Sequence, residues 1–424
     1  MLQLQVLRQN PEWVIERLAV KNFYGDSIVN KIIELDNKVR KSKADSESIQ
    51  SKINLISKEI GKLLKDENKI AETVTLKKEV TKLNEDLSSL KNELSHYEKE
   101  LHTSLILLPN LPSEKVPAGK TPEDNVVIRE GGSKPELPAV ALPHWELAKK
   151  YDLIDFELGN KITGSGFPVY KGKGAKLQRA LIQYFLDYNI GTGYTEYIPP
   201  FMVNETTAFG TGQLPDKEGQ MYFVTEDNFY LIPTAEVPLT NIHRDEILKE
   251  NELPIKMTAY TPCFRREAGS YGKDVRGLNR VHQFDKVEIV QLVHPEKSYE
   301  ILEEMVSHVE KLVQSLNLPY RILKLCGSDM SFASALTYDF EVYSAAQDKW
   351  LEVSSVTNFE TFQTNRMKIR FKDKTGKPQL IHSLNGSSLA LPRILACLLE
   401  NNQNAEGIRL PGVLLSYFGE EMLK

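Results

Sequence analysis

Apolar residues recur at Ile28, Ile32, Leu35 and Val39, then at Ile49, Ile53, Ile56, Ile60 and Leu63, alternately four and three apart. Only Ser42 and Ser46 interrupt the series. This spacing is a coiled-coil seam. After a polar break at Lys65-Asp66-Glu67-Asn68 the pattern resumes at Leu76, Val80, Leu83, Leu87, Leu90, Leu94, Tyr97 and Leu101. Two long helices joined by a short polar turn fold back on each other as an antiparallel hairpin. With roughly 36 residues per helix and 1.5 Å of rise each, the hairpin reaches about 50–55 Å, so it is expected to project as an arm.

A plain spacer or dimerisation coil satisfies the same heptads, and the charge distribution weighs against it. The chain is net acidic at -5, with 41% apolar and 26% charged residues, as expected of a folded globular protein. The outer part of the arm, Lys38 to Lys82, nevertheless carries 12 Lys/Arg against 7 Asp/Glu. A basic helical arm on an acidic protein suits the phosphate backbone of a nucleic acid. Lys38, Arg40, Lys41, Lys43, Lys62, Lys65, Lys69, Lys77, Lys78 and Lys82 are the candidate phosphate contacts. Cys263, Cys326 and Cys397 stand far apart without C-x-x-C spacing, and no H-E-x-x-H pair occurs, so no zinc site is expected. There is no signal-peptide pattern and no apolar run long enough for a bilayer, so no membrane partner and a cytoplasmic location are expected.

Prolines at Pro109, Pro112, Pro117 and Pro122 and the pair Gly131-Gly132 end the helical region. The expected organisation is an N-terminal domain over 1–105 with the arm at about 28–101, a Pro/Gly-rich linker over 106–138, and a second domain over 139–424. Helices are expected from Trp145 to Tyr151 and from Gly174 to Asn189. Short β-branched and aromatic runs follow, among them Met257 to Phe264, Lys286 to Leu292, Asp339 to Tyr343 and Trp350 to Ser355. Most lie too close together for crossover helices, which predicts an α+β domain: an antiparallel sheet flanked by helices. No G-x-x-x-x-G-K-[ST] loop and no G-x-G-x-x-G turn is present, so a bound nucleotide needs another cradle.

Two segments concentrate polar chemistry. Thr261-Pro262-Cys263-Phe264-Arg265-Arg266-Glu267 leaves a strand, and His282-Gln283-Phe284-Asp285-Lys286-Val287-Glu288 re-enters one. This sets Arg265 on a rigid sheet, able to grip a carboxylate or phosphate bidentately. His382 to Arg393 reads as a strand, a small-residue turn at Asn385-Gly386-Ser387-Ser388, and an amphipathic helix. Pro392 belongs in that helix's first turn, which places Arg393 where the free N–H groups also attract phosphate.

Phe264-Arg265-Arg266-Glu267, the Asn385-Gly386-Ser387 segment before Arg393, and Gly193-Tyr194-Thr195-Glu196-Tyr197-Ile198-Pro199-Pro200 resemble motifs 2, 3 and 1 of class II aminoacyl-tRNA synthetases. Thr234-Ala235-Glu236-Val237-Pro238, Glu352-Val353-Ser354-Ser355 and Gln363 with Arg366 resemble the seryl-tRNA synthetases of bacterial and eukaryotic type. The arm resembles their tRNA-binding arm, so the likeness runs over nearly the whole chain. It implies a class II sheet, a homodimer built partly on motif 1, ATP and L-serine as substrates, and tRNA(Ser) bound through the arm, with tRNA(Sec) charged where one is present. Arg265 would meet the serine carboxylate and the α-phosphate, and Arg393 the γ-phosphate; these two are the catalytic candidates. Thr234, Ala235, Glu236, Glu288 and Ser387 would surround serine. Arg266, Glu267, Val281, Phe284, Glu352, Val353, Ser354 and Ser355 would surround ATP, with Glu352 and Ser355 also facing Mg²⁺. Gln178, Ser388 and Pro392 depart from the family pattern without removing a charged ligand. A non-catalytic paralogue, or a class II enzyme for another amino acid, are the competing expectations.

Overall fold

The computed structural model describes residues 1–64, 69–268 and 276–424. The chain divides into two compact units, Met1–Ala19 with Phe23–Pro109, and Val20–Asn22 with Asn110–Lys424.

In the first unit, α1 (Asp26–Leu63) and α2 (Ile70–Leu105) pair along their length. Ile32, Leu35, Ile53, Ile60 and Leu63 are buried on α1, and Leu87 and Leu101 on α2, all at seam positions. Burying each such side chain favours pairing by about 1.5–3 kcal/mol. Ser42 and Ser46 keep the heptad register and are buried too, and the Ser46 hydroxyl donates to the Ser42 carbonyl at 2.7 Å. The expected turn, with Lys65, lies outside the described residues. Arg8, on the short helix Leu4–Gln9, pairs with Asp36 of α1 at 3.1 Å.

The second unit is built on an eight-stranded sheet. Its strands in chain order are β1 (Val126–Gly131), β2 (Thr195–Glu196), β3 (Ile255–Phe264), β4 (Gln283–Val293), β5 (Tyr320–Lys324), β6 (Leu336–Ser344), β7 (Lys349–Glu360) and β8 (His382–Ala390). The spatial order is β1-β5-β6-β7-β8-β4-β3-β2. Every pair is antiparallel except β2 with β3. The period-2 alternation of the strands sorts their side chains. Val287, Ile289, Val356 and Leu384 join the core against α3 (His144–Lys150), α4 (Gly172–Gly191), α5 (Ser298–Ser315) and α6 (Leu391–Asn401). The alternate positions Phe284, Lys286, Glu288, Ser355, Thr357, Asn385 and Ser387 line a cavity.

Two local expectations change. Asn385-Gly386-Ser387-Ser388 is not a turn but the middle of β8, where Gly386 pairs with Ile289 on one side and Val356 on the other. Backbone partners on both edges override the turn propensity of these small residues. The space there is tight, since a Cβ on Gly386 would stand 3.1 Å from Val356 Cγ2. Within 106–138, residues 126–131 form the edge strand β1, paired to β5 with a bulge between Val127 and Arg129. Pro392 lies in the first turn of α6, as its fixed φ requires.

Candidate active site

The cavity has a volume of about 610 Å³, within the range of small-molecule sites. It brings together Thr234, Glu236, Arg265, Glu267, Val281, Phe284, Glu288, Glu352, Val353, Ser354, Ser355, Ser387 and Arg393, drawn from six separate stretches of chain. Ala235 and Arg266 do not line it. Ala235 is fully buried in an apolar cluster with Met257 and Val290. Arg266 is exposed just beyond the strand end, where its backbone N–H donates to the Gln220 carbonyl at 2.9 Å. Gly269 to Val275, between the two limbs of the motif 2 segment, are outside the described residues.

One end of the cavity is built around a buried carboxylate. Glu288 Oε2 pairs with Lys286 Nζ at 2.5 Å and accepts from Thr234 Oγ1 at 3.2 Å and Ser387 Oγ at 3.4 Å. The register that sets Glu288 opposite Ser387 makes the last contact possible. Beside it Glu236, at the start of the short helix Glu236–Thr240, accepts from Gln363 Nε2 at 2.6 Å. Burial, and next the charge of Glu288, push the Glu236 carboxyl up to about 7. Near neutrality it therefore exchanges between a neutral and a charged form, and an entering cation favours the charged one.

The same cavity holds two guanidiniums on separate supports. Arg265 follows β3, its N–H donating to the His282 carbonyl at 2.9 Å, and its guanidinium lies over the Phe284 ring at 5.2 Å. Arg393 donates from Nε to the Asn279 carbonyl at 3.0 Å and from NH1 to the Glu352 carbonyl at 2.7 Å, with Glu352 Oε2 at 3.5 Å. Two guanidiniums in one cavity, one of them over an aromatic ring, offer anion contacts and a stacking surface.

Comparison with known proteins fixes the lineage. Residues 1–112 match the seryl-tRNA synthetase N-terminal domain, and residues 222–402 match the class II tRNA synthetase core domain of the G, H, P, S and T type. The serine–tRNA ligase of Salinibacter ruber is 48% identical over 99% of this chain and 98% of its own length. The chain belongs to the seryl-tRNA synthetase family. By structure it resembles the seryl-tRNA synthetase of Pyrococcus horikoshii, solved in complex with ATP, at TM-score 0.92 and 34% identity over 100% of this chain and 99% of that one. The cytoplasmic serine–tRNA ligase of Naegleria fowleri, solved with AMP, matches at TM-score 0.88 and 29% identity over 100% of this chain and 99% of that one.

This seryl-tRNA synthetase cavity also contains polar residues to which the sequence reading gave no role. Arg280 reaches Glu267 Oε2 at 3.1 Å, and Lys286, Asn279, Asn385 and Thr357 line the wall. Arg280 carried a signal, a cation closing the loop that Arg265 opens. Asn385 stood inside the motif 3 segment without an assigned role, and Thr357 carried no signal, because only the β7–β8 register sets it beside Asn385.

Proposed function

We propose that this chain joins serine to tRNA in two steps, with the cavity activating serine by ATP and the arm holding tRNA(Ser), or tRNA(Sec) where one exists. The observation that carries the reading is one cavity lined both by the guanidinium-bearing residues Arg265, stacked on Phe284, and Arg393, and by the Glu288 cluster with Thr234 and Ser387, beside Glu236.

In the first step an oxygen of the serine carboxylate attacks the α-phosphorus of ATP. The bond from that phosphorus to the bridging oxygen breaks, and pyrophosphate leaves with the electron pair. Two anions must approach, so positioning and cations do the work and no protein nucleophile is needed. Arg265 meets the serine carboxylate and the α-phosphate; Arg393 holds the γ-phosphate. Phe284 offers its ring to adenine, Glu267 accepts from the adenine edge, and the walls at Val281, Val353 and Ser354 shape that end. In the second step a hydroxyl at the tRNA 3′ end attacks the seryl carbonyl and AMP departs. The serine ammonium faces Glu236 and Glu288, and Thr234 and Ser387 sit within reach of the hydroxyl. Alanine would leave these buried polar groups unpaired, a larger penalty than a missing methylene.

Glu352 and Ser355 offer hard oxygen donors suited to Mg²⁺ carried in with ATP. Asp339, the register partner of Ser355, adds a buried Oδ1 with no hydrogen-bond partner among the described residues, so the donor chemistry fits such a cation. Mg²⁺ bound there would offset phosphate charge. Exposed apolar side chains near motif 1, Ile198 at 85% and Met202 at 50%, support a homodimer formed on that face. The three cysteines are all free thiols, which suits the reducing cytoplasm.

ATP–pyrophosphate exchange with serine, threonine, alanine and glycine tests the reading. Exchange is expected with serine at least about a hundredfold above alanine. Equal exchange with threonine or alanine, or none with serine, would overturn it.

A further inference from the structure

On the side of the sheet away from the serine pocket, α3, α6, the turn after β6 and the return limb of motif 2 meet in a buried polar knot. His144, at the head of α3, is fully buried, as is Glu400 near the end of α6. The Leu278 N–H donates to His144 Nε2 at 2.8 Å, which makes that nitrogen the acceptor and puts the ring proton on Nδ1. Nδ1 faces Glu400 Oε1 at 2.7 Å, and the His144 backbone N–H donates to the same oxygen at 2.9 Å. Gln347 Nε2 is a third donor to it at 2.9 Å, and Ser344 Oγ donates to Oε2. Burial pushes the Glu400 carboxyl up, and the His144 and Ser344 hydrogen bonds more than reverse this, so it stays below the usual carboxylate range.

From Glu400 the chain of contacts leads toward the cavity. Gln347 Oε1 accepts from Asn279 Nδ2 at 2.9 Å, and the Asn279 carbonyl accepts from Arg393 Nε at 3.0 Å. Among the described residues Asn279 Oδ1 is buried without a hydrogen-bond partner, and Gln347 is the one that holds this side chain by a hydrogen bond. The limb is seated closely: Gly277 has φ +66, and a Cβ there would come within 2.2 Å of His144 Nε2.

We propose that Gln347 and Asn279, anchored on the His144–Glu400 pair, are positioning residues that set the Arg393 guanidinium in the cavity. Among the described residues Arg393 has no acidic side chain closer than the 3.5 Å contact to Glu352, and its two shortest hydrogen bonds go to backbone carbonyls. One of those carbonyls belongs to the limb that the knot secures. Displacing Asn279 therefore moves Arg393 directly, whereas Thr234, Glu236, Glu288 and Ser387 stand on other segments and Arg265 meets the limb at the His282 carbonyl. The inference rests on the assignment of Arg393 to the triphosphate.

The test is serine-dependent ATP–pyrophosphate exchange by the full-length Gln347→Met protein, which keeps the side-chain volume and loses both hydrogen-bonding roles. The KM for ATP should rise about tenfold while the serine KM stays within about twofold, since misplacement of one group by under an ångström has effects of this order. In an Arg393→Ala background the same substitution should add nothing, because the group it positions is gone. Asn279→Ala should reproduce the ATP effect and covers the case in which Gln347→Met fails to fold. An unchanged ATP KM in these variants, or an equal further loss on top of Arg393→Ala, overturns the inference while leaving the serine activation of the parent protein intact. Absence of exchange in the parent would instead overturn the proposed function.

Discussion

The arm and the cavity use charge in opposite ways. On α1 and α2 the lysines stand in solvent; Lys38 pairs with Glu34 at 2.6 Å, both side chains largely exposed, a contact that contributes little in water. In the cavity Lys286 and Glu288 meet at 2.5 Å with side chains about 93% and 98% withdrawn from solvent by their 7% and 2% exposure. Exposed charges act through a screened field, so their effects are small and add. Buried ones form coupled sets in which one loss leaves partners without compensation. Single substitutions should therefore be severe in the cavity and mild on the arm.

The largest effects are expected at the isolated guanidiniums. Arg265→Ala and Arg393→Ala should each lower serine-dependent exchange by about 10²–10³, the usual consequence of removing one preorganised donor to developing charge. Circular dichroism should not change, because neither side chain belongs to the core. Near-normal exchange in either variant would remove the contrast at its strongest point.

Next comes the Glu236 carboxyl, held near 7 by burial and then by Glu288. A serine ammonium favours the charged form, which predominates above that value, so the serine KM should fall as pH rises from 6 to 8. In Glu236→Gln it should be higher and nearly independent of pH. Stability runs the other way. The folded state holds a proton on Glu236 between the ordinary glutamate value and about 7, so stability is lost as pH rises through that window. Glu236→Gln should accordingly melt higher than the parent at pH 8. A pH-independent serine KM in the parent would take Glu236 away from the ammonium.

The smallest effects belong to the arm. Lys41→Ala or Lys78→Ala should weaken tRNA binding modestly and each flatten the log–log salt dependence by about one unit or less. A tenfold or greater loss from either, at physiological salt, would show that the arm too works as a coupled set.

The same contrast explains what the sequence disclosed. The arm could be read almost residue by residue, because its contacts repeat with a local period; Ser42 and Ser46, read as interruptions of the apolar series, are buried in register with it. The catalytic sheet was legible as a class, and Arg265, Phe284 and Glu288 fell where a strand, loop and strand put them. The path of β8 through Asn385-Gly386-Ser387 was not, since local propensity favours a turn and only pairing to β4 and β7, from distant parts of the chain, makes it a strand. Helix α5 was not anticipated either, although Ile301, Leu302, Met305, Val306, Val309, Leu312 and Val313 carry helical spacing and are buried. The knot of His144, Gln347 and Glu400 left no motif, because its members lie far apart in the chain and meet only through tertiary packing.

The division of labour between the two units is most directly tested by replacing residues 28–101 with a short flexible linker and assaying two reactions. Serine-dependent pyrophosphate exchange should remain near that of the full chain, because every side chain assigned to substrate lies beyond residue 230 in the second unit. Serylation of tRNA at physiological concentration should be lost, because the basic stretch from Lys38 to Lys82 is gone. A shortened protein that still charges tRNA, or one that loses exchange while its sheet unit stays folded, would contradict the account.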